Sequence, residues 1–108
     1  QHAGFAEIDE YADAVLSMVE SIPRGRVMSY GQIAARVGAE LGTGGPRQVA
    51  RVMRRYGAGV SWWRVLRADG TPAPEVAARQ IENLTAEGVL LRDGKVARSA
   101  FLVTDADR

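Results

Sequence analysis

Residues 60–65 read V-S-W-W-R-V, so the two tryptophans of the chain, Trp62 and Trp63, stand side by side before Arg64. Successive residues of a strand or a helix point in different directions, so the two indoles cannot share one face. We therefore expect at least one of them to serve a binding surface. An indole offers one N–H donor and no nucleophilic atom at neutral pH, so its chemistry is stacking and apolar contact.

The chain otherwise lacks the side chains that most enzymes use. It contains no cysteine and a single histidine, His2. A thiolate nucleophile, a disulfide, a cysteine-based metal site and a histidine-dependent catalytic triad are therefore excluded within these residues. The sequence predicts a protein that is not an enzyme and that uses no metal and no cofactor.

The arginines are segregated along the chain, although the formal net charge is only +1. Between Arg24 and Arg67 there are nine arginines and one acidic residue, Glu40. Such a segment is typical of a surface that faces a polyanion, and the planar guanidinium suits bidentate contacts to phosphates and base edges. The alternative is a solvated face whose charges balance acidic residues elsewhere in the chain.

Apolar residues at helical spacing predict a first helix over residues 7–21. A second helix follows after a short turn. Ser29 is its predicted N-cap, and Gln32, three residues later, completes a capping box. Gly38 is predicted to end this second helix.

A third helix is predicted to begin at Pro46, because proline suits the first helical position. Its apolar residues fall on one side of the helix. Its arginines fall on the other side, and they are Arg47, Arg51, Arg54 and Arg55. Two helices joined by a glycine-rich turn, the second one basic, indicate a helix-turn-helix.

The remaining residues predict a fourth helix, which ends at Gly88, and then a β-hairpin. The dipeptide Asp93-Gly94 between two apolar runs is the strongest short-range hairpin signal. A last short strand is predicted over residues 101–103. Because a hairpin after a helix-turn-helix forms the wing of a winged helix, we expect an α/β fold, a small winged-helix DNA-binding domain.

The length of 108 residues predicts one domain, residues 1–108, with one hydrophobic core. We expect residues 1–6 to be disordered or to derive from processing. No apolar run approaches the roughly 20 residues that a membrane-spanning helix needs, so no membrane association is predicted.

Four segments resemble, in their order and spacing, the DNA-binding domain of O6-alkylguanine-DNA alkyltransferases. They read PRGRVMSYGQIA, RQVARVMRR, VSWWRV and AEGV. By this resemblance, Trp62 stands where the enzymes carry their nucleophilic cysteine, and Trp63 where they carry the histidine that activates it. A chain that keeps the other motifs but not the nucleophile resembles the alkyltransferase-like proteins, which bind O6-alkylguanine in DNA without repairing it.

The resemblance also implies roles for individual residues. Trp62 and Tyr30 would form the lesion pocket together with Trp63, which would either pack or lie at the pocket rim. Arg47 would fill the gap that a flipped nucleotide leaves in the duplex. Arg64 and Glu87 would be structural remnants of the catalytic site, with Arg64 in a salt bridge. The implied DNA-binding residues are Arg47, Arg51, Arg54, Arg55, Ser29 and Gln32, of which Ser29 and Gln32 are primarily capping residues.

The predicted function is non-enzymatic recognition of DNA damage. The third helix would enter the minor groove, and the lesion would be flipped into the pocket and marked for nucleotide excision repair. We expect a monomer in the cytoplasm, associated with the nucleoid, whose partners are double-stranded DNA containing O6-alkylguanine and nucleotide excision repair proteins. Two alternatives stay open, a winged-helix transcriptional regulator of undamaged DNA and a protein-interaction module.

Overall fold

The computed structural model describes residues 10–42 and 44–102 of the chain. The α-helices are α1 Glu10–Glu20, α2 Tyr30–Leu41, α3 Pro46–Tyr56 and α4 Ala77–Ala86. The strands are β1 Met28–Ser29, β2 Val65–Leu66, β3 Leu91–Arg92 and β4 Lys95–Val96. One-turn 3₁₀-helices lie at Gly57–Gly59, Trp62–Arg64, Pro74–Val76 and Arg98–Ala100. Residues 1–6, which we expected to be disordered or to derive from processing, lie outside the described residues.

The start of α2 confirms the predicted capping box. The Gln32 N–H donates to Ser29 Oγ at 3.0 Å, and the Ser29 N–H donates to Gln32 Oε1 at 2.9 Å. The predicted end at Gly38 is wrong, because the helix continues to Leu41 and its C-cap is Gly42, at φ +74°. Leu41 packs against the first apolar cluster, and this contact extends the helix by one turn beyond Gly38.

Strands β1 and β2 form a short parallel pair, with Met28 opposite Val65 and Ser29 opposite Leu66. Alternate residues of a strand point to opposite faces, so Met28 and Val65 enter one apolar cluster while Leu66 enters a second. The buried residues therefore form two clusters instead of the single core that length suggested. The first cluster joins α1, α2 and α3, and the second joins β2, α4 and the hairpin.

The predicted turn signals after β2 are confirmed. Asp93 and Gly94 adopt φ +54° and +77°, as a type I′ hairpin turn requires, and they connect β3 to its antiparallel partner β4. Gly88 adopts φ +83° just after α4. Its N–H donates to the Thr85 carbonyl at 2.9 Å, so it ends the helix as predicted.

The last predicted strand is reduced to a single parallel bridge between Val27 and Phe101. Its predicted end at residue 103 lies outside the described residues. The four helices and the hairpin wing form the predicted small α/β winged-helix domain, in which α3 is the basic second helix of the helix-turn-helix. All helices of the described segments are too short or too polar to cross a lipid bilayer.

Gly70 ties the loop after β2 to the wing. Its φ is +87°, and its carbonyl accepts the Val96 N–H at 2.9 Å. A Cβ at this position would lie 2.7 Å from the Val96 carbonyl oxygen, whereas a Cβ at Gly94 would meet nothing within 4 Å. The two glycines therefore share a left-handed backbone but differ in the space around them.

We predict that Gly94→Ala lowers the free energy of unfolding by about 1–2 kcal/mol, the usual strain of a left-handed residue. Gly70→Ala should cost about 1–3 kcal/mol more, because it adds a steric overlap with backbone. Urea denaturation of both variants measures the difference. Equal destabilisation would show that the close approach of the loop and the wing is not what requires glycine at position 70.

Candidate nucleic-acid interface

A cavity of about 600 Å³ opens between α3, the 3₁₀ turn Trp62–Arg64 and the start of α4. This volume lies within the range of roughly 300–1,000 Å³ that is usual for ligand pockets. Four arginines and one carboxylate line it, together with apolar and aromatic groups. The lining residues are Tyr30, Pro46, Arg47, Ala50, Met53, Arg54, Gly57, Ala58, Trp62, Arg67, Ala73, Glu75, Val76, Arg79 and Gln80.

The 3₁₀ turn separates the two adjacent tryptophans. Successive residues of a 3₁₀-helix are about 120° apart around its axis, and the two indole rings meet edge to face, with centroids 5.9 Å apart and an angle of 83° between their planes. Trp62 lines the cavity, whereas Trp63 packs against the second apolar cluster. The expectation that Trp63 forms part of the pocket is therefore corrected, because the turn directs its side chain away from the cavity.

Trp63 and Arg64 both bind the carboxylate of Glu87. The Trp63 indole N–H donates to Glu87 Oε2 at 2.7 Å, and Arg64 forms a salt bridge with the same oxygen at 2.7 Å. The Gly25 N–H donates to Glu87 Oε1 at 3.0 Å. Although burial opposes ionisation, the bonds from Arg64, Gly25 and Trp63 lower the pKa of Glu87 from 4.5 to about 2. The expected salt bridge of Arg64 is thus present, and Glu87 is its partner.

Helix α3 brings two of its arginines to the cavity, one from its first turn and one from its last. Arg47 and Arg54, seven residues apart on the helix, both line it. Arg51 and Arg55 are also exposed, but they lie outside the lining. Arg55 stands instead over the ring of Tyr56, with its Cζ 5.7 Å from the centroid. The exposed arginine face of α3 therefore has one edge at the cavity and one edge away from it.

Tyr30, the first residue of α2, also lines the cavity. Burial raises the pKa of its hydroxyl, and Glu75 raises it further, while Arg67 and Arg54 oppose this. The phenol is thus neutral at physiological pH and can donate a hydrogen bond.

The other two residues predicted from this region serve the helix itself. Ser29 is buried in the capping box. Gln32 completes the box and also donates from Nε2 to the Leu102 carbonyl at 2.8 Å. Direct side-chain contacts to DNA from these two residues would require the capping box to open.

Sequence reasoning missed the wall of the cavity that Arg67, Glu75, Arg79 and Gln80 supply. The Cζ atom of Arg79 lies 5.4 Å from the ring centroid of Trp62, in a cation–π arrangement. Glu75 lies in the 3₁₀ turn Pro74–Val76 and Arg79 in the first turn of α4. Their four-residue spacing within the predicted fourth helix is the signal that could have placed them on one side. The loop after Gly70 is short, and for this reason the sequence alone did not identify an arginine on that side.

Comparison with protein families matches residues 10–89 to the DNA-binding domain of 6-O-methylguanine DNA methyltransferase. A methylated-DNA–protein-cysteine methyltransferase of Methanothermobacter thermautotrophicus is 38% identical over 68 residues, which are 61% of this chain and 36% of that protein. A DNA base-flipping protein of Escherichia coli is 34% identical over 88 residues, 77% of this chain and 65% of that protein. The chain thus spans about a third of the length of the first relative and just under two thirds of the second.

Solved structures resemble the whole fold. The crystal structure of S. pombe Atl1 in complex with damaged DNA containing O6-carboxymethylguanine has a TM-score of 0.74 to this chain at 28% sequence identity. A second crystal structure, of S. pombe ATL in complex with DNA, has a TM-score of 0.70 at 27% identity. Each likeness covers 91% of this chain and 99% of the chain compared.

We predict that the free energy of unfolding depends on pH through the titration of Glu87. Because its folded pKa is lowered from 4.5 to about 2, its stabilising contribution is complete above pH 4.5 and is lost as the pH falls towards 2. The loss should be on the order of 3 kcal/mol, since each pKa unit corresponds to about 1.4 kcal/mol. Urea denaturation between pH 7 and pH 2.5 measures it.

The matched controls are Glu87→Gln and Glu82→Gln, both in or beside α4. Glu87→Gln should be less stable at pH 7 and should lose less stability on acidification, because the titrating group is gone. Glu82 is exposed, so Glu82→Gln should behave like the unaltered chain. An acid profile of Glu87→Gln that parallels the unaltered chain would contradict the assignment.

Proposed function

The chain belongs to the family of the DNA-binding domain of 6-O-methylguanine DNA methyltransferase, and we propose that it recognises O6-alkylguanine in duplex DNA without removing the alkyl group. Its resemblance within this family is to the alkyltransferase-like proteins. One observation carries the proposal: Trp62 lines a cavity of about 600 Å³ that Tyr30 and Arg47 also line. An aromatic wall, a phenol and an arginine from the basic helix therefore meet at one opening.

The cavity receives the damaged nucleotide after it has left the duplex. Extruding a base costs a few kcal/mol, and less where the base is damaged and pairs poorly. Stacking of a base on an aromatic ring is worth about 1–3 kcal/mol, so Trp62 offsets much of this cost. The indole also gives an O6-alkyl group an apolar surface. Arg47, at the edge of the cavity, fills the space that the extruded nucleotide leaves in the base stack.

Helix α3 binds the minor groove, in the manner that the family resemblance implies. Its exposed arginines, Arg47, Arg51, Arg54 and Arg55, lie along the face that would meet the phosphates. Contacts of this kind release counterions and make affinity strongly dependent on salt. Tyr30 stands beside them at the N-terminus of α2, where its neutral hydroxyl crowds the phosphate next to the extruded nucleotide.

The chain does not transfer the alkyl group. It contains no cysteine, and the indole of Trp62 has no nucleophilic atom at neutral pH. The Trp63 indole N–H donates a hydrogen bond to Glu87. In the enzymes, the counterpart of Glu87 completes the proton relay of the cysteine and the histidine. An indole N–H does not act as a base, so Trp63 cannot replace that histidine. The groups around Glu87 therefore stabilise the turn and move no proton.

Recognition without repair needs a second system to remove the lesion. By resemblance to the alkyltransferase-like proteins, the bound chain marks the site for nucleotide excision repair. We place it in the cytoplasm, associated with the nucleoid, as a monomer in which residues 1–108 form one domain. No group of three or more potential metal ligands occurs among the described residues, and the proposal requires no metal.

Equilibrium binding tests the proposal. Fluorescence anisotropy should show tighter binding to a duplex with one O6-methylguanine than to the same duplex with guanine, and mass spectrometry should show an unchanged protein mass after incubation. Equal affinity for the two duplexes would favour a regulator of undamaged DNA. A protein that gained a methyl group would contradict recognition without transfer.

The contribution of Trp62 has its own prediction. Addition of the O6-methylguanine duplex should quench tryptophan fluorescence in the unaltered chain and not in Trp62→Phe, if the extruded base stacks on this indole. Trp62→Ala should weaken binding of the lesion duplex by about 1–3 kcal/mol, and its residual binding should remain sensitive to salt. A Trp62→Ala variant that kept the preference for the lesion would count against the pocket.

Arg47 and Arg51 offer a matched pair on α3, since both are exposed and only Arg47 lines the cavity. Arg51→Ala should weaken binding to damaged and plain duplex alike and lower the salt slope by about 1. Arg47→Ala should weaken binding to the damaged duplex about tenfold or more beyond that, since it also loses arginine–base contacts, which are worth about 1–3 kcal/mol. Salt titrations of both variants with both duplexes make the comparison, and identical effects would refute the role of Arg47.

A further inference from the structure

The outer face of the hairpin wing carries a pair of cations. Lys95, the only lysine of the chain, begins β4 directly after the hairpin turn, and Arg92 is its register partner on β3. Such cross-strand partners share one face of a hairpin, with their Cβ atoms about 4.5–5.5 Å apart. Val96, the next residue, is buried in the second apolar cluster, so Lys95 and Arg92 lie on the opposite, exposed face.

Neither cation of this pair is used by the fold. Arg64, by comparison, forms a salt bridge with Glu87, and Arg26 donates to two backbone carbonyls. In the segments that the structure describes, the side chains of Lys95 and Arg92 form no hydrogen bond and no ion pair. They can therefore bind an anion without breaking a contact inside the protein.

The wing is attached to the loop that begins at the cavity. The Gly70 carbonyl accepts the Val96 N–H at 2.9 Å, and the Gly70 N–H donates to the Arg67 carbonyl at 2.9 Å. Arg67 lines the cavity. Two hydrogen bonds thus connect a cavity residue to the strand that begins with Lys95.

Asp69, in the same loop, lies close to cations of both the loop and the wing. Hydrogen bonds from Thr71 lower the pKa of Asp69, and the nearby charges of Lys95 and Arg67 lower it further. The Asp69 carboxylate accepts the Thr71 N–H at 3.0 Å and the Thr71 hydroxyl at 2.7 Å. Among the described residues, neither cation forms an ion pair with it. Positive charge therefore continues from the cavity wall across the loop to the wing.

We propose that Lys95 and Arg92 bind phosphates of the duplex beside the cavity, so that the wing holds the DNA backbone together with α3. This inference rests on the proposed function, because α3 and the cavity must first engage DNA. Duplex DNA carries one negative charge per about 1.7 Å of its axis, so a surface that continues beyond the cavity meets further phosphates. The wing offers them three basic residues against one acidic residue over 90–99. An ammonium is a compact point charge that suits a phosphate oxygen, the commonest acceptor in protein–DNA contacts.

Removal of one charge from the wing tests the contact. Salt titrations followed by fluorescence anisotropy should show that Lys95→Gln binds O6-methylguanine duplex and plain duplex alike more weakly, by up to about fivefold, as for an exposed ion pair. The salt slope should fall by about 1. Lys95→Arg keeps the charge and should keep both the affinity and the slope.

Arg36→Gln is the matched control, because it removes the same charge from an exposed position of α2 outside the cavity lining. It should weaken binding less than Lys95→Gln does. Equal effects of the two variants would reduce the result to net charge and overturn the proposal.

The single lysine also allows a direct readout in the unaltered chain. An N-hydroxysuccinimide ester of acetic acid acetylates exposed amines, and peptide mass spectrometry measures the rate at Lys95. Saturating duplex, damaged or plain, should slow this reaction severalfold, because the amine then lies against a phosphate. An unchanged rate in the bound chain would overturn the proposal and favour another partner for the wing, such as an acidic protein surface.

Failure of the wing contact and failure of the proposed function give different results. If O6-methylguanine duplex binds more tightly than plain duplex while Lys95 reacts equally fast in the free and the bound chain, the wing contact is wrong and damage recognition stands. Equal affinity for the two duplexes, with Lys95 still shielded in both complexes, would overturn damage recognition and support the wing contact.

Discussion

The carboxylate of Glu87 is the group on which the rest of the structure depends. It lies just after α4 and binds the Gly25 N–H, the Trp63 indole and the Arg64 guanidinium. Arg64 also donates to the Ile22 carbonyl at 2.8 Å, close to the end of α1. Removing one member of such a buried pair typically costs about 3–5 kcal/mol. This cluster joins three distant segments and fixes the 3₁₀ turn from which Trp62 reaches the cavity.

The turn divides two tasks between adjacent residues. Trp63 completes the second apolar cluster and binds Glu87, so it contributes to stability. Trp62 stands on the other side, against Arg79 and beside α3, so it is available to a ligand. The Gln80 side chain fixes the turn by donating hydrogen bonds to the carbonyls of Trp63 and Val65. The cavity is thus bounded by α3, α4 and a turn held by hydrogen bonds, and preorganisation of this kind favours binding.

The features that the sequence predicted correctly depend on local chemistry. The capping box of Ser29 and Gln32, the start of α3 at Pro46 and the Asp93-Gly94 turn all follow from interactions between near neighbours. The end of α2 was predicted wrongly because Leu41 finds its contact in the tertiary fold, and propensity at Gly38 does not report that contact.

The site was predictable where its motifs are local and not where it depends on long-range packing. Trp62, Tyr30 and Arg47 could be identified from motifs, and the structure brings them to one cavity. Whether Trp63 packs or lies at the pocket rim could not be decided from motifs, because its partner, Glu87, is 24 residues away. Arg79 and Gln80 were missed since their roles depend on how α4 packs against the turn.

The most direct test of the central claim is a crystal structure of the chain bound to a duplex that contains one O6-methylguanine. Our account predicts that the modified base lies outside the helix, stacked on Trp62, with its methyl group still attached to O6 and with Arg47 in the vacated space. A complex in which the modified base remains stacked in the duplex and Trp62 contacts no nucleotide would contradict it.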